Sequence, residues 1–212
     1  MKLRAEWKKL TPEVRLHALG VPIIGLTGGI ATGKSTVAEL LIKRGLPVIN
    51  ADHLVKGIYA KEDTKDFIRR NYPDVILADE IDFKKLREKV FTDPQVKEEI
   101  ETHIYARLKN AFSEAYRKLG EPEFVVYDVP LLFEKKLDSV VDMKVLVYAP
   151  ESIQRKRLMS RDGHEETIAR TIMASQLNIE DKKSRADFVI DNSSTLTELA
   201  REVDNFLRQI KD

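Results

Sequence analysis

Short, unbroken apolar runs recur along the chain at residues 21–26, 47–49, 124–127, 145–148 and 188–190. Longer stretches between them carry apolar and charged residues at helical spacing. Runs that are continuous rather than alternating read as strands covered on both faces. Strands that alternate with helices predict a parallel sheet with right-handed crossovers, here an α/β fold around five strands. The first helix is expected over 34–44, ending at Gly45.

The gap between the second and third runs is too long for one crossover. Residues 60–120 are mostly charged and helical in pattern, notably over 83–90 and 96–119, and are read as an inserted helical lobe. A second helical excursion, 151–182, separates the last two strands. The core is therefore expected to comprise 21–59 and 121–212. Residues 1–20 precede it as an added helix: Thr11 can cap it, Pro12 suits its first position and Gly20 can end it. Trp7 would anchor that helix on the core; a partner-binding segment is the other reading.

Charge adds little to this picture. With 36 Lys and Arg against 35 Asp and Glu, the net charge is +1, and no global field calls for nucleic acid or an anionic membrane. Any anion site must be built locally. The absence of cysteine removes disulfide frameworks, thiolate metal sites and thiol nucleophiles, and fits a reducing cytoplasm. The first 20 residues lack the apolar centre of a secretory signal, and no apolar stretch approaches the roughly 20 residues of a membrane helix. A cytoplasmic protein with no obligate protein partner is expected.

Local chemistry is concentrated in Gly28-Gly29-Ile30-Ala31-Thr32-Gly33-Lys34-Ser35, which satisfies G-x-x-x-x-G-K-[ST] between a strand and a helix. Glycines let the backbone wrap a phosphate with its N–H groups turned inward, and the helix that follows favours negative charge at its start. Lys34 is expected to reach the β- and γ-phosphates of ATP, and to stand in solvent until ATP arrives. The Ser35 hydroxyl would ligate Mg²⁺, and Thr36 would reach an α-phosphate oxygen. The expected architecture is thus the three-layer P-loop NTPase fold. Asp128, closing the third run at the sheet's carboxyl edge, is a second candidate Mg²⁺ holder or a solvated strand end.

A guanine-reading N-K-x-D is absent, which turns the reading from GTPases toward kinases. Asp52, placed at the end of the second strand, can serve as general base for an attacking hydroxyl, or can simply cap a helix. Gln154, Arg157 and Arg161 share one helical face in a basic stretch. That face suits a lid whose guanidinium groups meet the transferring phosphoryl group, or else a solvated surface.

Taken in order, these motifs resemble the dephospho-CoA kinase family over most of the chain. The similarity rests on 25–37, Ala51-Asp52, the stretch Asp128-Val129-Pro130-Leu131-Leu132-Phe133-Glu134, then Gln154, Arg157, Leu158, 161–163, Gln176, Lys182 and 186–193. The resemblance implies transfer of the γ-phosphoryl group of ATP to the ribose 3′-hydroxyl of dephospho-CoA, the last step of coenzyme A synthesis. It implies Asp52 as base, Arg161 in the lid, 60–120 on the acceptor side, and Asn192 near the adenine of ATP. It also brings His103 toward the acceptor; alone, that histidine reads as a surface or core residue. Asn50, Phe83, Ile104 and Ser194 depart from the family's usual Asp, Arg, Pro and Gly. A kinase for a nucleoside or nucleotide acceptor, and a nucleotide-binding regulator without catalysis, are the competing readings.

Overall fold

The computed structural model describes residues 2–163 and 165–211, and divides into two compact units, 1–50 with 119–212 and 51–118. In the first unit, β1 (Ile23–Gly28), β2 (Val48–Asn50), β5 (Val125–Asp128), β6 (Met143–Tyr148) and β7 (Phe188–Asp191) form one sheet. Its order is β2-β5-β1-β6-β7, and every pairing is parallel. Strands of three to six residues suffice because both faces are covered. On one face Ile24, Leu26, Val126, Val145 and Val147 meet Val37 and Leu41 of α1 (Lys34–Lys43), and Val203 and Phe206 of α9 (Leu196–Ile210). On the other face Leu146 and Tyr148 pack with Ile179 of α8 (Ile179–Arg185). The excursion before α8 folds as α6 (Glu151–Asp162) and α7 (Glu166–Ala174).

The second unit consists of α2 (Ala51–Tyr59), α3 (Glu62–Asn71), a hairpin of β3 (Ile76–Leu77) and β4 (Glu80–Ile81), α4 (Phe83–Thr92) and α5 (Pro94–Lys118). Ile58, Ile68, Leu86, Ile100 and Ile104 form its core. Asp82 caps α4 by accepting from the N–H groups of Lys84 and Lys85. The unit starts at Ala51, earlier than the residue 60 expected for the lobe. The reason is local: β2 ends at Asn50 and α2 begins at the next residue, so no loop separates them.

No α-helix forms between Thr11 and Gly20. Residues 2–20 instead contain two short 3₁₀ turns, Ala5–Trp7 and Leu16–Ala18, with His17 and Ala18 at positive φ. Tertiary contacts outweigh the capping signals here. Leu3 is buried in the main core and bridges to Lys211, and Trp7 packs against the same cluster. Arg15 is 5% exposed and Asp142 2%; the Arg15 guanidinium donates to Asp142 at 2.7 and 2.9 Å. Asp142 also accepts from the N–H groups of Leu10 and Ile23, and Arg15 donates to the carbonyls of Leu10 and Leu19. An extended strap that satisfies a buried carboxylate replaces the expected docked helix.

Candidate active site

The phosphate loop leaves β1 at Gly28 and enters α1 at Lys34. Gly33 sits at φ 88°, where a side chain would be strained, and a Cβ there would lie 2.2 Å from the Asn192 amide nitrogen. Ala31 takes φ 58° without the freedom of glycine, a cost of roughly 1–2 kcal/mol. The first N–H groups of α1 have no intrahelical acceptor and make its start an anion-binding end. Ser35 is exposed and Thr36 half-buried in that first turn.

Lys34 does not stand in solvent. Its ammonium pairs with Asp128, whose other oxygen accepts from the Asn50 amide at 2.6 Å. Asp128 is 1% exposed. A carboxylate buried this deeply at the strand's end needs donors, and in this state Lys34 and Asn50 supply them. The register of the sheet brings them together, since Asn50 of β2 lies opposite Asp128 of β5. The departure from the usual Asp at residue 50 thus has a local physical consequence: an amide can donate to Asp128, whereas a second carboxylate would repel it.

The outer side of the loop is held by the carboxyl-terminal half of the unit. The Asn192 amide donates to the Thr32 carbonyl at 2.7 Å, and an Arg157 guanidinium nitrogen donates to the Asn192 carbonyl at 2.9 Å. The Gln176 side-chain oxygen accepts from Ile30 N–H at 2.9 Å, and Gln154 lies so close to Gly29 that a Cβ there would come within 2.6 Å of it. Lys182, with no exposed surface, pairs with Glu134 at 2.7 Å and points at the Gly28 carbonyl, 3.4 Å away.

Three further expected residues lie on helices α2, α6 and α5. Asp52 is not at the end of β2 but exposed in the first turn of α2, two residues beyond Asn50. Arg161 is exposed at the end of α6, and both its Nε and a terminal nitrogen donate to Asp162. His103, in the second unit, stacks on Phe67 at 4.0 Å between ring centres and shares a hydrogen bond with Thr64. Burial, with some help from Arg107 and against Asp63, holds its pKa below the usual 6.5. It lines a hollow of about 600 Å³ with Phe67, Gln95, Glu98, Glu99 and Thr102. Phe83 stands edge-on to Tyr59, and Ile104 belongs to that unit's core.

Among the described residues no group of three His, Cys, Asp or Glu could hold a metal unaided, and no helix is long and apolar enough to cross a membrane. Lys182, Glu134 and Gln176 enter the sequence reading only through the family's motifs. By charge pattern alone, a lysine in Glu180-Asp181-Lys182-Lys183 reads as a solvated helix face.

Comparison with known proteins gives a consistent result. A family model described as dephospho-CoA kinase matches residues 22–198. A dephospho-CoA kinase of Anaeromyxobacter dehalogenans is 38% identical over 89% of this chain and 92% of its own length. One from Fusobacterium nucleatum is 36% identical, covering 91% and 100%. A crystal structure from Thermus thermophilus superposes with a TM-score of 0.80 at 31% identity, covering 91% of this chain and 99% of the other.

Proposed function

The chain belongs to the dephospho-CoA kinase family and phosphorylates dephospho-CoA with ATP in coenzyme A synthesis; from that premise we propose how its own residues divide the work. The loop 28–35 with Thr36 cradles the phosphates through its N–H groups. Lys34 leaves Asp128 for the β- and γ-phosphates, a short displacement for a point charge on a flexible stem. Arg161 leaves Asp162 to meet the transferring phosphoryl group, and Arg157 with Asn192 braces the loop from its outer side. His103 lies in the acceptor-side unit, 60–120 in the sequence reading and 51–118 by compactness.

Mg²⁺ fits the donors present. Ser35 and Asp128 offer hard oxygens, and a carboxylate holding Lys34 and Asn50 keeps lone pairs for a metal or its waters. When bound, Mg²⁺ would neutralise charge on the β- and γ-phosphate oxygens. The absence of cysteine supports the cytoplasm as the compartment.

In the transfer, the ribose 3′-oxygen forms a bond to the γ-phosphorus while the bond from that phosphorus to the β–γ bridging oxygen breaks, releasing ADP. The 3′-hydroxyl proton passes to Asp52. One observation carries this assignment: Asp52 is an exposed carboxylate two residues from Asn50, whose side chain is bound to Asp128. Its position inside α2 rather than ahead of it weakens the reading of Asp52 as a simple cap.

Asp52→Asn tests the base. The expected loss in kcat is about 10²-fold, the low end for positioned proton transfer, because a loose transition state needs little early deprotonation. The measurement is kcat across a Mg²⁺ titration with both substrates saturating. A loss under about threefold, or full repair by Mg²⁺, excludes Asp52 as the base. Adenosine and AMP, run as competing acceptors, should be used at least about tenfold less well in kcat/KM, which needs only about 1.4 kcal/mol.

A further inference from the structure

We infer that Lys182 is a positioning residue for ATP: its buried ammonium orients the first peptide of the phosphate loop from behind. The inference rests on the kinase reading and extends it to a residue with no place in the transfer step.

Carbonyls of the loop that face away from the phosphate side need donors, as the Ile30 N–H, which faces outward, needs the Gln176 oxygen that accepts from it. Three such carbonyls have side-chain donors. Thr32 Oγ1 serves Gly29, Asn192 serves Thr32, and Lys182 serves Gly28. The first two are neutral groups at 2.8 and 2.7 Å. Lys182 is different, because a lysine without exposed surface is costly and is retained only with a counter-charge. Glu134 supplies it at 2.7 Å, and the same Glu134 oxygen accepts from Leu177 N–H. The other Glu134 oxygen is buried and takes no hydrogen bond from a described protein group. An apolar residue would fill the space at lower cost but would remove the ammonium that reaches the Gly28 carbonyl.

The strain at Ala31 points the same way. A non-glycine residue held at φ 58° persists only where the surroundings over-determine the backbone. Lys182 and Gln176 both lie in the segment after α7, so they tie the loop to the end of the excursion read as a lid. Because the Lys182–Glu134 charges cancel at a distance, Lys182 acts by orientation rather than by adding field.

Three forms of the full chain are compared: parent, Lys182→Met, and Lys182→Met with Glu134→Gln. Lys182→Met should lower the thermal midpoint, by leaving Glu134 buried without its cation, and the second change should restore much of it. In both variants the Kd for ATP, measured without acceptor, should rise roughly fivefold, as loss of one ordinary hydrogen bond to the loop implies. KM for ATP should rise with it, while KM for dephospho-CoA stays within about twofold. A purely structural pair would lower the active fraction, hence apparent kcat, and leave ATP affinity alone. A double variant with a restored midpoint and an ATP Kd within about twofold of the parent would overturn the inference. If the double variant does not fold, Lys182→Arg replaces it, keeping a cation against Glu134 while shifting the donor off the Gly28 carbonyl; the same two outcomes decide. Turnover of dephospho-CoA by the parent is read separately, so failure of the kinase reading would not be mistaken for failure of this one.

Discussion

The two edges of one sheet bury an ion pair each, and they do so differently. At the amino edge, ahead of β6, Asp142 accepts from two N–H groups and twice from Arg15, whose planar fork also serves two carbonyls. Side-chain exposure is 4% and 0%. At the carboxyl edge, Asp128 is equally buried, but its partner Lys34 keeps 13% exposure and holds it through one compact ammonium. An arginine locked into a fork is hard to move, whereas a lysine can exchange one anion for another. The first arrangement is a rivet; the second is, in the function proposed above, a latch that phosphate opens. A buried ion pair by itself therefore indicates neither stability nor catalysis; what decides is whether the cation could leave without stranding its partner.

Arg15→Ala tests the rivet and should have the largest effect. It leaves Asp142 buried and charged, at a cost of about 3–5 kcal/mol in unfolding free energy, read by denaturant titration. Turnover per folded molecule should stay within about twofold. Removing residues 1–19 should cost at least as much, more than the few kcal/mol that lost burial around Trp7 and Leu10 alone implies. Lost turnover in folded Arg15→Ala protein would break the comparison.

Lys34→Ala tests the latch. Transfer should fall by about two orders of magnitude or more, from lost charge stabilisation at the β- and γ-phosphates. Stability should fall by only about 1–2 kcal/mol, since Asn50 still donates to Asp128 and the pair borders solvent. A variant as destabilised as Arg15→Ala would make Lys34 a second rivet.

The smallest effect concerns His103, a half-buried titratable group on which Arg107 and Asp63 act in opposite directions. Its pKa is lowered chiefly by burial. Between that lowered value and 6.5 the unfolded chain binds more protons than the folded one, so stability falls as the pH drops through this window and levels off below it. His103→Asn should flatten the midpoint-against-pH curve below 6.5. An unchanged curve would mean that other groups set the acid sensitivity.

Much of this molecule was legible in its residues. The five apolar runs became the five strands, because covered strands need continuous hydrophobic sequence over a short span. The loop at 28–35 was equally plain, since wrapping a phosphate demands particular residues at fixed spacing. The helices at 83–90 and 96–119 followed from periodicity alone. The strap at 2–20 was misread as a helix because Thr11, Pro12 and Gly20 are valid capping signals that tertiary contacts overrode.

The pairing of charges was another matter. Nothing near Arg15 names Asp142, 127 residues away, and nothing near Lys182 names Gly28, 154 residues away. Lys34 was expected in solvent because its counter-charge lies 94 residues downstream and reaches it only through strand register. Sequence by itself determined the elements and the phosphate loop, because backbone conformation and periodic burial are set by neighbours. Tertiary structure alone decided which charges are buried and whom they hold, because burial and partner choice depend on contacts between distant segments of the chain.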